Sequence, residues 1–289
     1  MIVTCHCISS LDDQRVAPYR NLRERALRGQ SIFIAEGLLL VERLLRSRYS
    51  TESILTDEET AGAVEEMVRN ILQEKSIGSD EGGDSLPASL PIFVAPRELL
   101  LETVGFKFHR GAMALGRRDS MPCVSWLLDR IPPDDAASLM ICPETTSTEN
   151  VGLMLRTAAA LGIDGTIFGP GSCDPFSRRA LRTSMGSVLT APIACSEDLA
   201  NDLSLIRDRG DFELIGTVLD RSAESLDGFV WPRRSAILFG NEYQGLDSEC
   251  IELCDHLVTL PMKSNTDSLN VSIAAGIFLY QMQQGQKQP

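Results

Sequence analysis

No stretch of the chain approaches the ~20 consecutive apolar residues a membrane helix needs. The opening residues, Met1-Ile2-Val3-Thr4-Cys5-His6, also lack the basic flank and apolar run of a secretory signal. No membrane partner is therefore expected, and the cytoplasm is the expected compartment. The eight cysteines, Cys5, Cys7, Cys123, Cys142, Cys173, Cys195, Cys250 and Cys254, show none of the paired short spacings of a zinc site. A chain of 289 residues also needs no disulfide staples, so the thiols read as reduced packing residues. Cys5-His6-Cys7 fails as a metal site on a strand, because alternation turns His6 to the face opposite both cysteines. Positive charge is short as well. With 27 Lys and Arg against 40 Asp and Glu the net charge is −13, which excludes a surface that grips nucleic acid throughout. Any RNA contact must be local, and the arginines do cluster: Arg15, Arg20, Arg23, Arg25 and Arg28, then His109-Arg110 and Arg117-Arg118, then Arg178-Arg179-Arg182.

What is present is ample apolar material, 43% of the residues, enough for one large or two ordinary cores. Residues 21–46 read as helix, short strand, helix; a strand at 53–55, a helix at 61–72, a strand at 92–94, a helix at 97–103 and a strand at 112–115 follow. Between them, residues 78–91 are rich in Gly, Ser, Asp and Pro and read as a loop. Residues 1–118 form a small α/β domain in this reading. Residues 119–138, with Pro122, a Trp126-Leu127-Leu128 turn and Pro132-Pro133, are connector chemistry. Over residues 139–289 short apolar strands at 139–142, 166–169, 192–194, 214–219, 236–239 and 257–260 alternate with amphipathic helices. That repetition predicts a parallel sheet covered on both faces. Ligands bind such sheets beyond the carboxyl ends of the strands.

Three segments begin just after a predicted strand. The first, Ser147-Thr148-Glu149-Asn150-Val151-Gly152-Leu153-Met154-Leu155-Arg156, opens a helix: its polar residues are N-cap types, Val151, Met154, Leu155, Ala158 and Leu161 form one apolar stripe, and Gly162 closes it. Arg156 projects away from the stripe. The second, Phe239-Gly240-Asn241-Glu242-Tyr243-Gln244-Gly245-Leu246, supplies small residues that let backbone approach a ligand. The third runs from Leu260-Pro261-Met262 through a polar turn to Ser268-Leu269-Asn270-Val271-Ser272, where an apolar helix starts.

Together these segments resemble the three signatures of the SpoU-type (TrmH-like) RNA 2′-O-ribose methyltransferases of the SPOUT superfamily, over roughly residues 139 to 283. Tyr19-Arg20-Asn21-Leu22-Arg23, Phe33-Ile34-Ala35-Glu36-Gly37 and Phe108-His109-Arg110-Gly111 are similar to the small α/β substrate-binding domain, ribosomal-protein L30e-like, that many such enzymes carry. The resemblance implies an α/β SPOUT methyltransferase domain with a C-terminal trefoil knot, S-adenosylmethionine as cofactor, RNA (ribosomal or transfer) as substrate, and a homodimer. It places Asn150, Arg156, Glu242, Asn270 and Ser272 at the catalytic centre. Thr217, Leu219, Gly240, Asn241, Glu242, Leu260, Met262, Ser268, Leu269 and Asn270 fall around the cofactor, and Arg20, Arg23 and Arg110 toward the substrate.

Methyl transfer to a ribose oxygen is an in-line displacement in which the protein chiefly aligns acceptor and donor. A guanidinium with a pKa above ~12 is a poor base, so Arg156 is expected to steady the developing alkoxide or hold a phosphate. The proton then leaves to water, Glu242 or an RNA phosphate. Two rivals stay in the same fold: a catalytically silent RNA-binding protein and an enzyme that methylates a base. A dinucleotide oxidoreductase is disfavoured, since Gly169-Pro170-Gly171 lacks the third glycine of that fingerprint.

Overall fold

The computed structural model describes residues 2–20, 22, 31–77, 89–105, 111–262 and 268–286. Its contacts divide the chain into two compact units, Met1–Ser120 with Phe176–Thr190, and Met121–Pro175 with Ala191–Pro289.

In the first unit the strands β1 (Ile2–Cys7), β2 (Ile32–Glu36), β3 (Ser50–Asp57), β4 (Ser89–Ala95) and β5 (Ala112–Arg117) form a mixed sheet in the order β1-β4-β3-β5-β2. Helices α1 (Leu38–Arg46), α2 (Ala61–Ile77) and α3 (Arg97–Val104) connect them. Cys5 and Cys7 lie exposed on edge strand β1, while His6 sits against the Phe93 ring with centroids 6.0 Å apart. The predicted loop over 78–91 is corrected at its end, for β4 starts at Ser89 and includes Pro91. A proline is tolerated there because β3 begins to pair with β4 only at Ile92, so on that side no partner awaits the missing N–H.

A 3-10 turn over Gln14–Tyr19, capped by the Asp13 side chain on the Arg15 amide, was not foreseen. It seats Tyr19 in the core beside Ile34, Leu55, Leu100 and Met113. The fully buried Tyr19 hydroxyl lies 2.8 Å from Ser53 Oγ, donates to the Ser53 carbonyl at 2.9 Å and accepts from the Leu115 amide at 3.2 Å. Burial pushes its phenol well above the usual range, so it stays neutral.

The second unit holds α4 (Val124–Leu128), β6 (Ala137–Cys142), α5 (Thr148–Leu161) and β7 (Gly165–Phe168). After α6 (Arg178–Thr183), which clusters with the first unit, come β8 (Ile193–Cys195), α7 (Leu199–Gly210), β9 (Glu213–Thr217), β10 (Glu224–Ser225), β11 (Arg234–Leu238), α8 (Ser248–Leu253), β12 (His256–Thr259) and α9 (Val271–Gly285). All strand pairings are parallel, in the order β10-β12-β9-β11-β6-β7-β8. Every residue of β6 and β11 is buried, as continuous apolar strands between two helical layers must be. The charged residue of β11 is Arg234. Its guanidinium lies over the Phe212 ring at 4.4 Å and donates to the carbonyls of Gly210 (2.7 Å), Pro132 (2.9 Å) and Asp135 (2.8 Å). The proline-rich connector thus contributes acceptors that satisfy a buried charge. Strand β10 escaped the sequence reading because its two residues are exposed and carry no apolar signal.

In the first unit, Arg178 of α6 donates at 3.1 Å to the carboxylate of Glu36, which is only 4% exposed. Arg182 stands 3.9 Å from the same carboxylate.

Tyr19→Phe leaves two β-strands' polar groups without their shared partner. A loss of about 1–3 kcal/mol is expected, from the desolvation cost of an unsatisfied buried group. It will appear as a lower urea midpoint at unchanged slope, whereas an unchanged midpoint would show that the hydroxyl does not hold this core.

Candidate active site

Four neighbouring strands, β12, β9, β11 and β6, deliver their following loops to one edge of the second sheet. There a cleft of about 520 Å³ opens between the loops after β9, β11 and β12 and the start of α9. Its size is that of a small-molecule site. Thr217, Leu219, Gly240, Asn241, Glu242, Leu260, Met262, Ser268, Leu269 and Asn270 all line it, so the ten residues predicted around a cofactor share one cavity. Val218, Leu246, Val271 and Phe278 add apolar wall beyond those ten.

The floor is fixed by local constraints. Thr217 Oγ1 donates to the Leu238 carbonyl at 2.9 Å, tying the ends of β9 and β11. At Gly240 a Cβ atom would stand 2.2 Å from the Gly245 carbonyl carbon and 2.3 Å from the Leu246 nitrogen, a space only glycine allows. Gly245 itself has a φ of 73°, and the Asn241 and Gly245 backbones exchange hydrogen bonds of 2.8 and 3.0 Å across the turn.

Glu242 is the polar hub. Its Oε1 accepts from Asn150 Nδ2 at 2.9 Å and from the Ser147 amide at 3.1 Å. Its Oε2 accepts from Thr146 Oγ1 at 3.1 Å and the Thr146 amide at 3.2 Å. The network continues as Asn270 Nδ2 donates to Asn150 Oδ1 at 3.1 Å, while Asn270 Oδ1 caps α9 by accepting from Ser272 N (2.9 Å) and Ser272 Oγ (2.6 Å). Burial pushes the Glu242 carboxyl upward, but the bonds from Asn150 and the amides of Thr146 and Ser147 outweigh it and hold the group below its ordinary 4.5. It is therefore an ionised, fully engaged acceptor at neutral pH.

Of the predicted catalytic residues, Asn150, Glu242, Asn270 and Ser272 are joined in this one network. Arg156 is not. It sits six residues beyond Asn150 on α5, about 9 Å along the axis, exposed, and among the described residues no hydrogen bond or ion pair reaches it. Arg20 donates to the Asp13 carbonyl at 2.8 Å beside the 3-10 turn, while Arg23 and Arg110 lie outside the described residues.

Sequence reasoning missed the support behind the hub. Ser172 Oγ donates to the Cys142 carbonyl and accepts from the Thr145 amide, both at 3.0 Å. Cys173 donates from its amide to Thr145 O (2.8 Å) and from its thiol to Thr146 O (2.9 Å). The loop after β7 thus pins the segment whose amides face Glu242. A Cβ on Gly169 would meet Pro143 O at 2.2 Å, which explains a glycine that served only to dismiss a dinucleotide fingerprint. The available signal was Gly169-Pro170-Gly171 itself, close backbone approach without a ligand.

Comparison with known proteins comes to the same region. Residues 138–280 match the model of the SpoU rRNA Methylase family. An uncharacterised tRNA/rRNA methyltransferase of Mycobacterium bovis is 30% identical over 279 residues, 93% of this chain and 88% of that one. A 23S rRNA (guanosine-2′-O-)-methyltransferase of Acinetobacter baylyi is 30% identical over 195 residues, 68% of this chain and 79% of its own length. The fold is shared with an AdoMet-bound rRNA methyltransferase from Sinorhizobium meliloti (TM-score 0.75, 23% identity, 97% of this chain and 98% of that one). It is shared also with the SpoU methyltransferase AviRb of Streptomyces viridochromogenes (TM-score 0.74, 22% identity, 94% and 97%).

The Glu242 carboxylate titrates lower when folded than when unfolded, so its stabilisation is complete above the ordinary 4.5 and is lost as pH falls through the folded value. In thermal melts from neutral to acid pH, Glu242→Gln is expected to remove part of the acid-side loss and to be less stable at pH 7. Parallel curves for the two proteins would show that the clamp is not ionised.

Proposed function

This chain belongs to the SpoU rRNA methylase family, and on that premise we propose that it transfers the methyl group of S-adenosylmethionine to the 2′-hydroxyl of a ribose in ribosomal or transfer RNA. One observation carries the reading: the Ser272–Asn270–Asn150–Glu242 network lies at a cleft lined by all ten residues expected around the cofactor. The donor set fits that cofactor. Leu219, Leu260, Met262, Leu269 and Phe278 offer apolar wall for a purine, Thr217, Asn241 and Asn270 offer polar groups for a ribose, and the ionised Glu242 suits a neighbouring cationic sulfonium. When bound, S-adenosylmethionine supplies the electrophilic methyl group.

The protein's own part is alignment. Asn150, held at both ends of its amide by Glu242 and Asn270, orients the acceptor ribose with little freedom left to lose. Glu242 already accepts from every donor around it and sits below its ordinary pKa, so it is a poor proton acceptor and acts as the clamp. The proton of the acceptor hydroxyl leaves to water or an RNA phosphate. Arg156, permanently charged, steadies the oxygen or a phosphate.

Arg156 stands apart from the network because the site is completed by a second copy. Helix α9 packs on α5, and the two carry exposed apolar residues, Leu153 on α5 and Ile273 (56% exposed) and Tyr280 (54%) on α9. A homodimer through these helices covers them and brings Arg156 to the acceptor. The C-terminal segment is further read as a trefoil knot, a reading supported by the all-parallel order in which the chain leaves β12 and yet returns to pack α9 on α5. The first unit is read as the L30e-like domain that receives the RNA.

Incubation with labelled S-adenosylmethionine and bulk ribosomal and transfer RNA, followed by digestion to nucleosides, is expected to place the label in 2′-O-methyl nucleosides. Label in methylated bases would transfer the reading to base chemistry, and cofactor uptake without any label would make this a silent RNA-binding protein. Arg156→Ala is expected to bind cofactor normally and to lose about a hundredfold in transfer rate, the scale of one missing transition-state donor. Sedimentation should give a dimer that Ile273→Glu converts to monomers; a native monomer at micromolar concentration would overturn the shared site.

A further inference from the structure

Tyr243 is 91% exposed, yet it sits on a turn closed by several hydrogen bonds. Its backbone amide donates to Asn241 Oδ1 at 2.9 Å, the next amide, of Gln244, donates to the same oxygen at 3.3 Å, and Asn241 and Gly245 close the turn by paired backbone bonds. Glu242, one residue earlier, points inward to its four donors, so Tyr243 is directed outward at the cleft it helps to line. Among the described residues no hydrogen bond or ring contact engages its side chain.

A second apolar residue stands on the neighbouring loop. Strands β9 and β11 are adjacent, and Leu219, 68% exposed, follows β9 as Tyr243 follows β11. That loop carries a local turn of its own, in which Asp220 Oδ1 accepts from Ser222 N and Ser222 Oγ, both at 2.8 Å. Two neighbouring loops therefore present an aromatic ring and an aliphatic side chain at the mouth of one cleft. None of the described residues lining the cleft is Lys or Arg, and the chain carries a net charge of −13. Among the described residues an RNA strand meets no cationic side chain at this mouth, so a contact made there is one indifferent to charge. An aromatic face that meets a base face is such an interaction, and it is available only where the base is unstacked and unpaired.

We infer that Tyr243 is the stacking platform for an unpaired nucleobase next to the acceptor ribose, with Leu219 as its apolar flank. This rests on the RNA methyltransferase reading and adds to it the form of the substrate: a loop, bulge or end, with the target nucleotide splayed out of any helix. Because the turn is already fixed, little ordering entropy opposes the contact.

The test is steady-state methylation of bulk ribosomal and transfer RNA by the native protein and its Tyr243→Ala, Tyr243→Phe and Tyr243→Trp variants, with calorimetry on S-adenosylmethionine and sedimentation alongside. Tyr243→Ala should raise KM for RNA about tenfold, the scale of one lost base stack, with kcat and cofactor affinity within about twofold of native. Phe and Trp should restore KM, and Trp fluorescence should be quenched as RNA is added. An unchanged KM overturns the inference, as does lost cofactor affinity, which would put the ring on the cofactor, or conversion to monomers, which would put it in a subunit interface. Failure of the native protein to methylate any RNA would instead remove the underlying reading, and this inference with it.

Discussion

One ionised carboxylate, surrounded by donors from a different stretch of chain, holds the candidate site together. Glu242 comes from the loop after β11, and its partners Thr146, Ser147 and Asn150 come from the start of α5 after β6. A charged acceptor with each oxygen doubly bonded is costly to rearrange, since any movement leaves a partly buried charge or amide without a partner. The same bonds fix Asn150, and Asn150 in turn fixes Asn270 at the head of α9. Side-chain hydrogen bonds centred on Asn150 of α5 thus join three segments that follow different strands.

That network is reinforced from behind and below. Ser172 and Cys173 hold the backbone of Thr145 and Thr146 from the loop after β7, and Gly240 permits a backbone approach that any side chain would forbid. Positioning on this scale is what a methyl transfer asks of a protein, because the donor brings its own reactivity and the barrier is lowered chiefly by alignment. Apolar side chains share the cleft wall with polar ones, and Glu242 is the acidic residue among the described residues that line it.

Charge elsewhere is less available than the sequence suggests. Arg178 is committed to buried Glu36, Arg20 to a backbone carbonyl, Arg117 to Glu52 and Arg234 to carbonyls of the connector. Clusters that look like a nucleic-acid footprint on paper are partly structural, since an arginine finds carboxylates and carbonyls as readily inside a protein as phosphates outside it. In a chain already acidic by thirteen charges, the arginines open to a phosphate are thus fewer than the clusters suggest; exposed Arg156 is one of them.

By itself the sequence determined the alternation of short apolar strands with amphipathic helices, and hence the parallel sheet of the second unit; β6, β9, β11 and β12 stand where their apolar runs put them. It also determined the cap at Asn270 and the closing glycine at 162, because these depend on neighbouring residues and on backbone angles; for α5 it offered several polar caps, and the structure uses Ser147. Only the tertiary structure decided that Glu242 takes four hydrogen bonds from Thr146, Ser147 and Asn150, that Ser172 and Cys173 stand behind those donors, and that Arg156 lies outside the network. Those outcomes depend on which distant donors meet one carboxylate, contacts spanning about a hundred residues that no local pattern records. The turn at Gln14–Tyr19, the strand through Pro91 and the two-residue β10 were hidden for a related reason: each is held by a partner strand or a buried hydroxyl, not by propensity of its own.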